Sequence, residues 1–280
     1  MCQWEKQVEY FGKERGDEFE ICIYENRGMS LSDPVAGRWT TSAMARDALS
    51  LLDHLNWTKD VHCVGLSMGG MIAQEMCRQG KGRFASLTLI STIAGGLYSL
   101  AYFLASIPSG VQLLVRANLA STGRERLRHS LNVMYPSTHL NDELKHPETG
   151  QNTTYLNLYK KTLIRRALAE REKGIQAPPL TSVMKQVLAV ISHNVPKEEL
   201  DAIATSVNGN TLVITGDDDI LVHSANSVRL HDGLKGRLVW IKGAGHGAFE
   251  QSHQQVNAEI ERLIRTAREG KTIPMGIAHL

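Results

Sequence analysis

The stretch VHCVGLSMGGMIAQ, residues Val61–Gln74, decides the fold of this 280-residue chain. It has the pattern of a short apolar strand, then Gly-x-Ser-x-Gly, then an apolar helix, and this context favours a nucleophile elbow. A serine on so sharp a turn crowds its neighbours, so we expect Gly65 and Gly69 to be small for steric reasons. We therefore expect the Ser67 hydroxyl to project beyond the end of the strand.

Taken alone, Gly-Leu-Ser-Met-Gly is equally compatible with an ordinary glycine-rich loop. The apolar strand before it and the apolar helix after it favour the elbow. In an elbow, the first amides of the helix point at the reaction centre, where they stabilise a developing oxyanion.

The composition is typical of a soluble globular protein, with 42% hydrophobic and 21% charged residues. A net charge of +2 is too small to indicate a nucleic-acid-binding surface. Basic clusters such as Arg124–Arg128 also contain acidic or apolar residues. The four cysteines lack metal-site spacing, so we expect free thiols and no bound metal.

The sequence predicts a cytoplasmic protein without a transmembrane segment. Met1–Lys6 lacks the apolar core of a signal peptide, and the apolar run Ile93–Ile107 is interrupted by glycine and serine. The last three residues, Ala278-His279-Leu280, resemble a C-terminal peroxisomal address, which gives a second prediction for the location.

Alternating strands and amphipathic helices predict an α/β fold with a mostly parallel sheet covered by helices on both faces. The predicted strands are Phe19–Tyr24, Val61–Val64, Phe84–Ile90, Thr211–Thr215 and Arg237–Ile241. We divide the chain into a core formed by residues 1–94 and 207–270, a helical insertion without strands at 95–206, and a tail at 271–280.

Two of the later strands end in residues that carry chemistry. Thr211–Thr215 continues into Gly216 and three aspartates, and Arg237–Ile241 is followed by a glycine-rich segment that contains His246. Parallel strands place their carboxyl ends at one edge of the sheet, so we expect an aspartate and His246 near Ser67. A histidine activates a serine hydroxyl, and a carboxylate orients the histidine. Only one aspartate can face His246, and the pattern leaves open which.

With these motifs in the order Ser, Asp, His, the chain resembles the α/β-hydrolase superfamily in its cap-bearing serine-hydrolase branch. The segment Tyr24–Pro34 is similar to the family's Asp-x-Arg-Gly-x-Gly-x-Ser motif, and Gly-Asp-Asp-Asp matches its Gly-x-x-Asp. The resemblance implies Ser67 as nucleophile, His246 as base, Asp219 as the orienting acid and the Met68 amide as an oxyanion donor. It implies no cofactor.

The implied activity is hydrolysis of a carboxylic ester or a related thioester, amide or carbon–carbon bond through an acyl-enzyme. We expect a small-molecule or acyl-chain substrate, and the sequence does not define an oligomeric state. Apolar residues of the insertion either line an acyl pocket or pack as core: Leu97, Leu100, Tyr102, Phe103, Leu104 and Ile107.

The chain also departs from the family pattern. The family has further strands before the point where this sequence begins, and the loop after the third supplies a second oxyanion amide through a His-Gly motif. No segment here matches it. The alternative prediction is therefore an N-terminally truncated, catalytically impaired hydrolase-like protein that binds a ligand or partner. We also expect a gap, or direct pairing, between Phe19–Tyr24 and Val61–Val64.

Overall fold

The computed structural model describes residues 4–96, 123–175 and 178–280. Its strands are β1 (Val61–Leu66), β2 (Phe84–Ile90), β3 (Glu143–Lys145), β4 (Asn152–Thr154), β5 (Thr211–Gly216), β6 (Arg237–Ile241) and β7 (Gly276–His279). Five of these strands form one sheet in the order β1-β2-β5-β6-β7, and every neighbouring pair in it is parallel.

The α-helices occupy both parts of the core and the insertion between them. They are α1 (Glu5–Glu9), α2 (Thr41–His54), α3 (Met68–Gln79), α4 (Gly123–Met134), α5 (Ser137–Asn141), α6 (Tyr155–Glu172), α7 (Leu180–Ile191), α8 (Lys197–Ser206), α9 (Ala225–Leu234), α10 (Ala248–Gln251) and α11 (His253–Arg268). Helix α1 continues directly into a π-helix, Tyr10–Glu14.

Hydrophobic clusters cover the two faces of the sheet. One cluster joins α2, α3, α8 and α9 to the sheet, and Ile72, Leu87 and Leu200 are almost completely buried in it. The other joins α10 and α11 to the opposite face through residues such as Phe249 and Leu263. The prediction of a parallel sheet with helices on both faces is confirmed.

The predicted strand Phe19–Tyr24 is wrong. The segment has strand-like alternation, but it is irregular, and within the described residues it pairs with no strand. An extended segment becomes part of a sheet only when a neighbouring strand takes up its backbone groups. The segment and β1 instead line the same cavity of about 1510 Å³, which corresponds to the expected gap rather than to direct pairing.

Two further differences from the predictions involve short strands. The insertion was expected to contain no strand, but β3 and β4 form a small antiparallel hairpin in it. The predicted tail contains β7, which adds the last parallel strand beside β6. The C-terminal tripeptide lies along β6, with Leu280 N donating to Trp240 O at 2.8 Å and Lys242 N donating to Leu280 O at 2.8 Å.

The apolar residues from Leu97 to Ile107 that were considered for an acyl pocket lie outside the described residues. In the described ranges, no helix is long and apolar enough to span a membrane.

Candidate active site

Ser67 lies between the end of β1 and the start of α3 in a strained backbone conformation, with φ 53° and ψ −121°. A positive φ is unusual for a non-glycine residue, and such strain is concentrated at functional sites. The continuation of β2 holds the turn in place. Ser67 N donates to Ile90 O at 2.9 Å, and Thr92 Oγ1 donates to Ser67 O at 2.6 Å.

The steric demand of the turn falls on one of the two expected glycines and on one that was not expected. A Cβ on Gly65 would lie 2.4 Å from Gly69 O, so this position requires glycine. A Cβ on Gly69, in contrast, would meet no atom within 4 Å, and the expectation that Gly69 is small for steric reasons is wrong. The second crowded position is Gly70, where a Cβ would lie 2.6 Å from a methyl group of Thr92.

Helix α3 begins immediately after Ser67 and presents its first backbone amides near the serine. Gly70 N donates to Ser67 O at 2.9 Å. Within the described residues, the amides of Met68 and Gly69 have no backbone acceptor. Free amides at a helix N-terminus carry partial positive charge, so these two groups can donate to a negatively charged oxygen beside Ser67.

His246 and Asp219 form a buried pair. His246 Nδ1 lies 2.9 Å from Asp219 Oδ2, and neither side chain is more than 6% exposed. The other carboxylate oxygen, Asp219 Oδ1, accepts from the amides of Leu221 and Val222, both at 2.9 Å. The carboxylate is thereby fixed, and it directs the opposite nitrogen of the imidazole, Nε2, away from itself.

The neighbouring aspartates have other positions. Asp217 Oδ1 accepts from Gly243 N at 2.6 Å, which joins the loops after β5 and β6. Asp217 and Asp218 are exposed, whereas Asp219 is buried. Of the three, Asp219 alone hydrogen-bonds His246 among the described residues.

Ser67 and His246 line the same cavity. The part of the chain that the structure describes contains no hydrogen bond between their side chains.

The glycines on either side of His246 allow a close approach of the inserted helices. Gly247 N donates to Met134 O at 2.7 Å, at the end of α4. A Cβ on Gly247 would lie 2.5 Å from a ring carbon of Tyr135, and one on Gly245 would lie 2.7 Å from Met134 O. The insertion therefore packs directly against the loop that carries the histidine.

Sequence reasoning missed a polar cluster at this contact. Tyr135 Oη donates to Glu250 Oε2 at 2.6 Å, and Arg166 lies 3.7 Å from Glu250 and 2.7 Å from Glu5. Burial and the nearby Glu250 carboxylate raise the pKa of Tyr135 well above its usual range, so the phenol stays protonated. These residues carry no motif, and their only signal was the pair of glycines around His246.

A comparison with known families identifies the fold. The sequence profile of the alpha/beta hydrolase fold family matches residues 3–252. The chain belongs to this family. The resemblance inferred from the elbow and from the residues that follow the later strands is thereby confirmed.

Solved structures of other alpha/beta hydrolases resemble this one over most of its length. A thermophilic esterase from Thermogutta terrifontis is 21% identical, with 95% of this chain and 85% of that chain covered and a TM-score of 0.65. A meta-cleavage product hydrolase from Pseudomonas fluorescens is 15% identical, with 95% and 85% covered and a TM-score of 0.70. An enol-lactonase from Burkholderia xenovorans is 18% identical, with 94% and 86% covered and a TM-score of 0.63. At these identities the likeness establishes the fold.

Proposed function

We propose that this α/β hydrolase is a serine hydrolase that cleaves a carboxylic ester or a related acyl bond. The observation that carries the proposal is the buried His246–Asp219 pair, because its histidine lines the cavity that is also lined by the strained Ser67. A histidine with one nitrogen on a fixed carboxylate is prepared to take a proton on the other.

In the proposed reaction, Ser67 Oγ attacks the acyl carbon while His246 Nε2 takes the hydroxyl proton. The Met68 amide donates to the resulting oxyanion, and Asp219 stabilises the imidazolium. His246 then returns the proton to the leaving alcohol, which leaves the acyl group on Ser67. Water, deprotonated by His246, attacks the acyl-enzyme; as the bond to Ser67 Oγ breaks, His246 passes this proton to Oγ, which releases the acid and restores the serine. No cofactor takes part in these steps.

The side chains around the cavity support a small-molecule or acyl-chain substrate. Met134, Tyr135, Tyr159 and Leu221 line the cavity together with Ser67 and His246. Tyr135 and Tyr159 stack with their ring centroids 4.3 Å apart, and this pair forms a flat apolar wall. We propose an acyl group without negative charge here, because Glu5 and Glu250 together outweigh the positive charge of Arg166, the nearby cation of the cluster.

A fluorophosphonate probe tests the proposal, because it labels activated serines. We expect labelling of the wild-type chain, loss of labelling in Ser67→Ala, and strongly reduced labelling in His246→Ala. Ser91→Ala is a matched control, since Ser91 is a second serine with positive φ after a strand, but it is buried. Full labelling of His246→Ala would refute the assignment of the base.

The second candidate function is a hydrolase-like protein that binds a ligand or partner without turnover. The observation that favours it is the edge of β1 next to Ser67 that pairs with no other strand among the described residues. An elbow supported on one side only holds its oxyanion donors less rigidly. If circular dichroism shows a folded protein that the probe does not label, the result favours this candidate. Labelling that depends on Ser67 excludes it.

A further inference from the structure

The chain leaves β1 and β2 in the same way. Leu66 and Ile90 are partners in the parallel register, and the next residue on each strand is a serine with positive φ. The angle is 53° at Ser67 and 46° at Ser91. Ser67 N donates to Ile90 O and Ser91 N donates to Ile214 O, both at 2.9 Å. Strained backbone of this kind persists only where the surrounding contacts enforce it.

The strained turn after β2 places Thr92 against the nucleophile elbow. Thr92 is 1% exposed, and its Oγ1 donates to Ser67 O at 2.6 Å. Its side chain also packs closely on α3, because a Cβ on Gly70 would lie 2.6 to 2.7 Å from three Thr92 atoms. One turn further along α3, Gln74 Nε2 donates to Ile93 O at 2.9 Å. The two residues that follow the turn are therefore both held on α3.

The Ser67 carbonyl is one end of the peptide unit that carries the Met68 amide. A trans peptide unit is planar, and its C=O and N–H point in opposite directions, so a bond that fixes the carbonyl also fixes the amide. Ser67 O points into α3, where it accepts from Gly70 N at 2.9 Å and from Met71 N at 3.3 Å. The Met68 N–H therefore points out of the N-terminus of the helix.

We propose that Thr92 is a positioning residue of the active site, whose hydroxyl orients the Ser67–Met68 peptide unit so that the Met68 amide donates to the oxyanion. The proposal rests on the proposed function, because this amide meets an oxyanion only if Ser67 is the nucleophile. A donor that is oriented in advance stabilises the developing charge without reorganisation during the reaction. Thr92 acts through the peptide unit and not on the substrate.

Thr92 ties the carbonyl to the sheet, which the helix amides do not do. Gly70 N and Met71 N belong to α3 and move with it, whereas Thr92 follows β2, the strand that pairs with β1. Its bond to Ser67 O is also the shortest of the three. Because Ser67 is strained, loss of this bond lets the peptide unit rotate toward a relaxed conformation and turns the Met68 N–H away.

The rate of fluorophosphonate labelling tests this role, because the phosphoryl oxygen of the probe takes the position of the oxyanion. Thr92→Val keeps the shape of the side chain and removes the hydroxyl. We expect the maximal labelling rate, kinact, to fall about 10- to 100-fold, less than the roughly 10²–10³-fold cost of losing a whole oxyanion donor. KI should change less than about threefold, because an interaction made only in the transition state leaves ground-state binding unaffected. Thr92→Ser retains the hydroxyl and should keep kinact within about threefold of the wild type.

A measurement without substrate separates orientation of the amide from stability of the fold. The order parameter S² of the Met68 amide, from NMR relaxation of the full chain, should be about 0.85 in the wild type and in Thr92→Ser. In Thr92→Val it should fall toward about 0.6. Thr88→Val is the matched control, since Thr88 is another threonine of β2 that is 1% exposed, and it should change neither kinact nor S².

Three results would overturn the proposal, given urea unfolding curves that show each variant to be folded. They are a wild-type kinact in Thr92→Val, a wild-type S² at Met68 in Thr92→Val, and a loss in Thr92→Ser as large as that in Thr92→Val. A wild-type chain that the probe does not label would instead refute the proposed function. The order parameter would then still decide whether Thr92 orients the Met68 amide.

Discussion

Asp219 is the one of three consecutive aspartates whose carboxylate contacts His246. Its carboxylate accepts from His246 and from two backbone amides, whereas Asp217 accepts from Gly243 in an exposed turn. Sequence reasoning alone left the choice among the three aspartates open, and the resemblance to the family nominated Asp219. The structure adds the reason, because this carboxylate alone among the three is buried and directed at the imidazole.

Replacing Asp219 by Asn should lower kcat for ester hydrolysis about 10³–10⁴-fold, because an amide holds the wrong imidazole tautomer and leaves the imidazolium unstabilised. Asp217→Asn is the matched control, two residues away in the same loop, where its carboxylate accepts from Gly243 N and not from His246. Steady-state kinetics on both variants makes the comparison, with KM measured as well as kcat. Equal losses in the two variants would contradict the role of Asp219.

The two glycines of the elbow motif should respond differently to alanine. Gly65→Ala places a methyl group 2.4 Å from Gly69 O, and overpacking of this kind costs about 1–3 kcal/mol. We expect a lower free energy of unfolding in urea and weaker probe labelling. Gly69→Ala meets no atom within 4 Å and should leave unfolding unchanged within about 0.5 kcal/mol. The opposite order would mean that the turn is built differently.

Helices and strands with strong local patterns were predictable, and those that depend on distant partners were not. The bounds of β2 agree with the prediction, and an apolar helix follows Ser67 as expected, because both segments have an apolar pattern of their own. Phe19–Tyr24 has the alternation of a strand, but it lacks a neighbour to pair with. Strand β7 was missed for the opposite reason, because its short sequence becomes a strand only through its pairing with β6.

The insertion is fastened to the core by a buried histidine just beyond the end of α7. His193 Nδ1 lies 2.9 Å from Thr41 Oγ1, in the first turn of α2, and the histidine is 2% exposed. Burial, with a smaller contribution from Arg78, lowers the pKa of His193 to about 4. The folded chain therefore holds this ring neutral at pH values where the unfolded chain protonates it.

The stability contributed by His193 should be fully present above about pH 6.5 and lost as the pH falls toward 4. In that window the unfolded state binds more protons, so the free energy of unfolding decreases on acidification. The shift corresponds to about 2 kcal/mol between pH 7 and pH 4.5. Urea unfolding should show this part of the decrease vanish in His193→Gln and persist in His54→Gln, an exposed histidine of α2. An unchanged pH slope in His193→Gln would contradict the assignment.

The sheet is assembled from two stretches of sequence that lie on either side of the insertion. Its centre is the β2–β5 pair, where Leu87–Ile90 meets Thr211–Ile214 in register. The sequence predicted both strands, but their adjacency follows from the chain returning after the insertion. The same return brings Ser67 on one stretch into the cavity with His246 on the other. The order of these residues in the sequence does not give the distance between their side chains.

Three parts of the molecule meet at Arg166, which bonds Glu5 of the N-terminal helix and faces Glu250 just after the histidine loop. Its side chain is 11% exposed, so Arg166→Met would leave two partly buried carboxylates without their cation. We expect a loss of about 2 kcal/mol, or roughly 4–8 °C in Tm for a chain of this size. Arg165→Met removes an exposed charge from the same helix and should change Tm by about 1 °C or less. Calorimetric scans that gave both variants the same Tm would mean that the cluster does not hold the insertion on the core.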